Sequence, residues 1–262
     1  MDRDKVLEQL SATDEVERKL GLDKSAKIPS IMQLRAFMDE MDRILFPAVY
    51  PSDNSIEVTM LHLCEFIEVY GGPQVAQEFT SRLPEIKRLL LTDVEAIWHN
   101  DPAAKDFLEV VVSYPSIRVM TYYRTAHALL EAGMQRVPRM LTEIAHSDTG
   151  IDINPAAQIG EYFSIDHGTG VVIGETCVIG NNVMLYQGVT LGASRFQYAE
   201  DGKPMDIPRH PILEDNVTVY SNTSILGRVT IGHDTIIGGN IWLTTDVPPY
   251  SKITQRKAVY TK

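Results

Sequence analysis

Residues 213–243 read LEDNVTVYSNTSILGRVTIGHDTIIGGNIWL, and an aliphatic side chain returns at every sixth position: Leu213, Val219, Ile225, Ile231, Ile237 and Leu243. An amphipathic helix repeats at about 3.6 residues and a lone strand at about 2, so neither accounts for this run. A period of six is the hexapeptide repeat of a parallel β-helix. Each hexapeptide forms one flat face, and three close a triangular coil. The aliphatic points inward and stacks on its equivalent one coil away. Stacked coils then bury a core that no single repeat could bury.

Working outward, the same period runs through Ile153, Ile159 and Ile165, and again through Ile173, Ile179, Leu185 and Leu191. The residue four places after each aliphatic is small or apolar, as at Ala157, Phe163, Cys177, Val183, Val217 and Thr223. The phase breaks twice. Ile165 to Ile173 is two residues too long, so the chain bulges near Asp166-His167-Gly168-Thr169-Gly170. Between Leu191 and Leu213 the spacing is not a multiple of six, which requires an excursion loop over residues 193–209. Departures from a regular solenoid are where functional side chains tend to be displayed.

Before residue 150 glycine is sparse and the apolar spacing is helical, as in Val75, Phe79, Leu83, Ile86 and Leu90. About seven helices are expected there. Ser52 and Asp53 are read as a cap, Gly71-Gly72-Pro73 as a helix end, Asp101-Pro102 as an N-cap with proline at the first helical position, and Pro115-Ser116 as another helix start. The expected division is a helical domain over 1–147, a β-helix over 148–250 and a tail over 251–262.

The chain has 262 residues, 44% apolar and 23% charged, as in an ordinary globular protein. Its net charge of -11 argues against a generic nucleic-acid binder. No leader-like opening and no apolar run of ~18 residues is seen, so a cytoplasmic protein off the membrane is expected. Cys64 and Cys177 read as two thiols, too few for a thiolate zinc site.

Among seven histidines, His167 sits in the first phase break and His210 ends the excursion loop beside Arg209. Asp152 lies in the repeats just before His167. An imidazole held by a carboxylate is a general base suited to a hydroxyl nucleophile near neutral pH. No protein serine pairs obviously with it, so the hydroxyl can belong to a substrate. Asp166 and Arg209 would put opposite charges near that base, which suits a zwitterionic amino acid. The remaining histidines read as surface or packing residues. His127, on an apolar helix, is expected to be packed or interfacial.

These residues resemble the serine acetyltransferase family. Ile151-Asp152-Ile153-Asn154-Pro155-Ala156-Ala157 is similar to its V-D-I-H-P-A-A, and Ile165 to Thr176 to its L-D-H-A-T-G-I-V-V-G-E-T. Gly188-Val189-Thr190-Leu191-Gly192 resembles S-V-T-L-G, and Arg209-His210-Pro211 resembles R-H-P. In the helical half, Asn100 to Ala104 and Tyr123 to His127 look like R-D-P-A and Y-R-I-G-H.

The resemblance, over roughly residues 95–250, implies an α+β chain: a helical domain, then a left-handed parallel β-helix. It implies acetyl transfer from acetyl-CoA to the hydroxyl of L-serine, giving O-acetyl-L-serine, the first step from serine to cysteine, with no acyl-enzyme and no resident cofactor or metal. His167 would be the base and Asp152 its orienting partner. Asp101 and Asp166 would bind the serine ammonium, and Arg209 and His210 its carboxylate. Gly192, Ala193, Ser221 and Gly239 would line a CoA groove between subunits of a homotrimer or a hexamer of two trimers. L-Cysteine would be a feedback inhibitor at the serine site.

The chain departs from the family in three places. The loop before Arg209 is about eight residues longer. The C-terminal segment lacks G-V-P-A; Lys252, Arg256 and Lys257 there are placed in sequence either to meet CoA phosphates or to be solvated. The end Tyr260-Thr261-Lys262 lacks the isoleucine by which some relatives dock onto O-acetylserine sulfhydrylase, so that complex is not expected. Other readings are an O-acetyltransferase of a sugar or antibiotic, a zinc-dependent β-helix hydratase, for which the histidine spacing does not fit, and a non-catalytic scaffold.

Overall fold

The computed structural model describes residues 2–11, 14–20, 27–195, 197–203 and 205–255. Among the described residues eight helices precede the strands: α1 (Arg3–Ser11), α2 (Asp14–Lys19), α3 (Ile31–Leu45), α4 (Ile56–Gly71), α5 (Pro73–Asn100), α6 (Phe107–Ser113), α7 (Pro115–Glu131) and α8 (Val137–Thr149). Gly71-Gly72-Pro73 breaks the chain as expected: Gly72 has φ 90° and Pro73 starts α5. Two caps differ from the sequence reading. Ser55, not Ser52 or Asp53, caps α4 by accepting from the Val58 N–H. Asp101 closes α5 instead of opening a helix, because its side chain accepts from the Ala103 N–H at 2.8 Å and holds a turn; Asp106 caps α6.

The strands form three parallel sheets, one per face of a triangular solenoid. The first face holds β1 (Asp152–Ile153), β4 (Val172–Ile173), β7 (Thr190–Gly192), β10 (Ser224–Leu226) and β13 (Trp242–Leu243). The second holds β2 (Gln158–Ile159), β5 (Val178–Ile179), β8 (Ile212–Leu213) and β11 (Thr230–Ile231). The third holds β3 (Ser164–Asp166), β6 (Met184–Tyr186), β9 (Thr218–Val219), β12 (Ile236–Ile237) and β14 (Lys252–Ile253). This is the parallel β-helix anticipated from the repeat, with the left hand that the family resemblance implied. It runs through Ile253, past the expected boundary at 250, because β14 pairs with β12.

Every sixth aliphatic points inward. Ile153, Ile173, Leu191 and Ile225 stack in register and are at most 1% exposed. Such a column buries apolar area at about 25 cal/mol per Å². The edge between the second and third faces turns through left-handed residues Tyr162, Asn182, Asn216, Asp234 and Tyr250. Asparagine and aspartate tolerate that conformation, and their side chains ladder: Asn182 donates to Asn216 at 2.8 Å, and Asn216 to Asp234 at 3.1 Å.

Helix α7 fastens the helical half to the first coil. The Tyr123 hydroxyl donates to the Ala157 carbonyl at 2.6 Å, and His127 Nδ1 meets the Pro155 carbonyl at 2.8 Å. Between them Arg124, buried with Asp93 of α5, donates to the Gly160 carbonyl at 2.8 Å. His127 is therefore interfacial, as its apolar helix suggested. Among the described residues no helix is long and apolar enough to cross a membrane.

Candidate functional site

Two edges of the solenoid carry the nominated residues. On the edge between the third and first faces, Ile165, Leu185, Val219 and Ile237 pair in register. Two residues past each of them come His167, Gln187, Ser221 and Gly239. Successive coils sit about 4.8 Å apart, so these positions form a column spanning roughly 14 Å. Gln187 was missed by the sequence reading. Its only signal was its place in the period, between His167 and Ser221. Its Oε1 is buried with no hydrogen-bond partner among the described residues.

His167 stands out from the first coil because the two extra residues are absorbed there. It has φ 58°, followed by Gly168 at 83° and Gly170 at 80°. Its side chain is 73% exposed, and its Nε2 lies 3.9 Å from the Asp166 carboxylate. Asp101 reaches the same place from the end of α5. A small cleft is lined by Asn100, Asp101, Tyr114, Ser164 and Asp166. The Tyr114 hydroxyl donates to Asp101 at 2.6 Å. That bond, the Ala103 N–H and the nearby His167 hold the Asp101 carboxyl below the usual carboxylate range, while the same bond pushes the Tyr114 phenol up to about 12. Asp101, Asp166 and His167 are thus brought together within one chain.

Asp152 is placed less directly. Its strand lies against the bulge: the Asp152 N–H donates to the Val171 carbonyl at 2.9 Å, and Gly168 sits over Ile151. Its carboxylate, however, faces Arg139 of α8 at 3.7 Å, and no ion pair joins it to His167 among the described residues.

Arg209 and His210 lie on the other edge, between the first and second faces. The sequence reading put Arg209 near the His167 base. Within one chain the width of the first face separates them, on the order of 15–20 Å for a hexapeptide strand. His210 is buried and lies over Gly174; a Cβ at Gly174 would sit 2.1 Å from its ring. Its Nδ1 accepts from the Thr176 N–H at 3.0 Å. Burial, then the neighbouring Arg209, lowers its pKa, so the ring is neutral and its remaining proton sits on Nε2. The Arg209 guanidinium pairs with Glu175, and the Arg209 backbone N–H donates to Thr176 Oγ1 at 2.9 Å.

The nominated CoA positions divide the same way. Ser221 and Gly239 share the His167 edge, where a Cβ on Gly239 would meet the Ser221 carbonyl at 3.0 Å. Gly192 and Ala193 share the Arg209 edge, where Gly192 accepts from the Gly227 N–H at 2.9 Å and the excursion loop departs. Lys252 lies on β14; Arg256, Lys257 and the final residues fall outside the described residues.

Comparison with known proteins gives one family throughout. The chain is 50% identical over 183 residues to a plasmid serine acetyltransferase of Synechococcus elongatus, covering 70% of this chain and 57% of that protein's length. It is 41% identical over 166 residues to a serine acetyltransferase of Bacillus licheniformis, covering 63% of this chain and 73% of the relative. Among solved structures, serine acetyltransferase isoform 3 of Entamoeba histolytica in complex with cysteine superposes with a TM-score of 0.73 at 34% identity, over 91% of this chain and 88% of that one. No family model matches the chain.

Proposed function

Because the chain belongs to the serine acetyltransferase family, we propose that it transfers the acetyl group of acetyl-CoA to the hydroxyl of L-serine, releasing O-acetyl-L-serine and CoA. The observation that carries this reading is the division of the site. One edge presents two carboxylates and an imidazole. The other presents a guanidinium and a neutral imidazole whose Nε2–H has no partner among the described residues. Each edge also holds half of the nominated CoA positions. Neither edge alone binds both ends of an amino acid. Packing the His167 edge of one copy against the Arg209 edge of the next, as in a closed threefold ring, completes a site between each pair.

In that cleft Asp101 and Asp166 hold the serine ammonium, while Arg209 and the His210 Nε2–H hold its carboxylate. His167 takes the hydroxyl proton as the oxygen attacks the thioester carbon. Collapse of the tetrahedral adduct breaks the C–S bond, and the imidazolium returns its proton to the leaving CoA sulfur. Asp152, whose strand borders the bulge, swings from Arg139 to steady that imidazolium. Such bonds are often long in ligand-free sites. The thioester must lie between the serine at His167 and the pantetheine at Ser221 and Gly239. The Gln187 carboxamide occupies that step of the column and is placed to donate to the developing oxyanion. L-Cysteine carries the same ammonium and carboxylate with a thiol for the hydroxyl, so it competes for this site; the Entamoeba enzyme was solved with cysteine bound.

An acceptor panel tests the reading. CoA release with L-serine, but not with sugars or aminoglycosides, is the expected outcome; preference for a sugar acceptor would overturn it. Separately, Gly174→Ala should force the His210 ring off Thr176. Overpacking of this kind costs about 1–3 kcal/mol. The serine KM should rise several-fold with little change in the acetyl-CoA KM, read by steady-state kinetics.

A further inference from the structure

The C-terminal half of α8 and the first strand of the solenoid place three ligating side chains around one point. Glu143 and His146 are one helical turn apart, and the left-handed Gly150 returns the chain so that Asp152 falls beside them. One ligand atom from each lies within 4.8 Å of the others, and His146 Nδ1 is 3.5 Å from Glu143. A tetrahedral zinc ion draws such atoms to about 2.0–2.2 Å from itself, which needs only rotamer adjustment in side chains that are partly exposed. The point already attracts positive charge. The Arg139 guanidinium pairs with Glu143 and approaches Asp152 at 3.7 Å. His146 itself lies in the last turn of α8, where the helix dipole favours a cation.

We propose that Glu143, His146 and Asp152 form a site for a divalent transition cation, zinc above all, and that its occupation inhibits the enzyme. One imidazole and two carboxylates suit zinc better than magnesium or calcium, which take oxygen ligands alone. The cation displaces Arg139 and leaves one position to water. Inhibition follows because Asp152 cannot ligate zinc and steady His167 at once. This second half rests on the role given to Asp152 above; the binding half does not.

The test uses the full chain, freed of metal with a chelator and titrated with zinc in a non-chelating buffer. Binding is read by equilibrium dialysis and by the visible absorption of cobalt(II) as a substitute. Turnover is read as loss of thioester absorbance in initial rates, before released CoA accumulates to bind zinc. His146→Ala is the key variant, since His146 has no part in the chemistry. The wild type should bind one His146-dependent zinc per chain and lose activity as it fills. His146→Ala should retain basal turnover and need at least about tenfold more zinc for the same inhibition. Equal zinc binding by wild type and His146→Ala would overturn the site. His146-dependent binding that leaves turnover unchanged would overturn the inhibition and, with it, the role of Asp152, while leaving acetyl transfer to serine intact.

Discussion

Replacing His167 with alanine lowers kcat/KM for serine by about 10²–10⁴-fold, the usual contribution of a positioned general base. The variant should fold and assemble like the wild type, because the side chain is 73% exposed and makes no hydrogen bond among the described residues. Circular dichroism and size-exclusion chromatography check that. The stronger prediction concerns a mixture. Arg209→Gln should also be nearly inactive with serine, and each variant spoils a different edge. If every site joins the His167 edge of one copy to the Arg209 edge of the next, co-expressed variants regain activity. For random threefold rings at equal ratio, about a quarter of the sites carry both intact edges. Recovery to that order supports a shared cleft. No recovery in verified mixed oligomers means each chain builds its site alone, and the edge argument fails.

What the sequence made legible follows from the periodicity of the solenoid. Six-residue spacing dictates which side chains point inward, so the stacked Ile153, Ile173, Leu191 and Ile225 were readable directly. The two phase breaks were readable for the same reason, and they carry His167 and Arg209. Distance around the coil was harder. Asp152 and His167 are close along the chain, yet the carboxylate turns to Arg139, a residue of the helical half whose approach no solenoid pattern encodes. Arg209 and His167 both sit at phase breaks of the repeat, yet the face of a triangle separates them. Gln187 escaped notice because an amide in a repeat looks like any surface residue until the coils are stacked. The cap at Asp101 was misread because Asp-Pro suits a helix start and an Asx turn equally well.

The docking of the two halves carries the largest expected stability effect. Arg124 and Asp93 are essentially buried, joined at 2.6 and 2.8 Å by a two-pronged contact. Arg124 also donates to the Ile159 and Gly160 carbonyls, and Asp93 accepts from the Phe163 N–H at 3.2 Å. The pair thereby substitutes for water at backbone groups of the first coil. Arg124→Met should cost about 3–5 kcal/mol, because it strands a buried carboxylate. Arg124→Lys should recover only part of that, since an ammonium cannot fork across both carboxylate oxygens and the carbonyls. The double variant Arg124→Met with Asp93→Leu should be more stable than Arg124→Met alone, as the lone charge is gone. It should still fall short of wild type, because the Gly160 carbonyl and the Phe163 N–H lose their partners, at about 1–3 kcal/mol each. Urea denaturation of the wild type and these three variants, with Asp93→Leu alone to close the double-mutant cycle, measures these differences. Activity follows the same interface, because α5 ends in Asp101, and loosening α5 and α7 from the first coil moves that carboxylate away from Asp166 and His167. A loss below about 1 kcal/mol for Arg124→Met, the level of an exposed pair, would mean the ion pair does not hold the halves together.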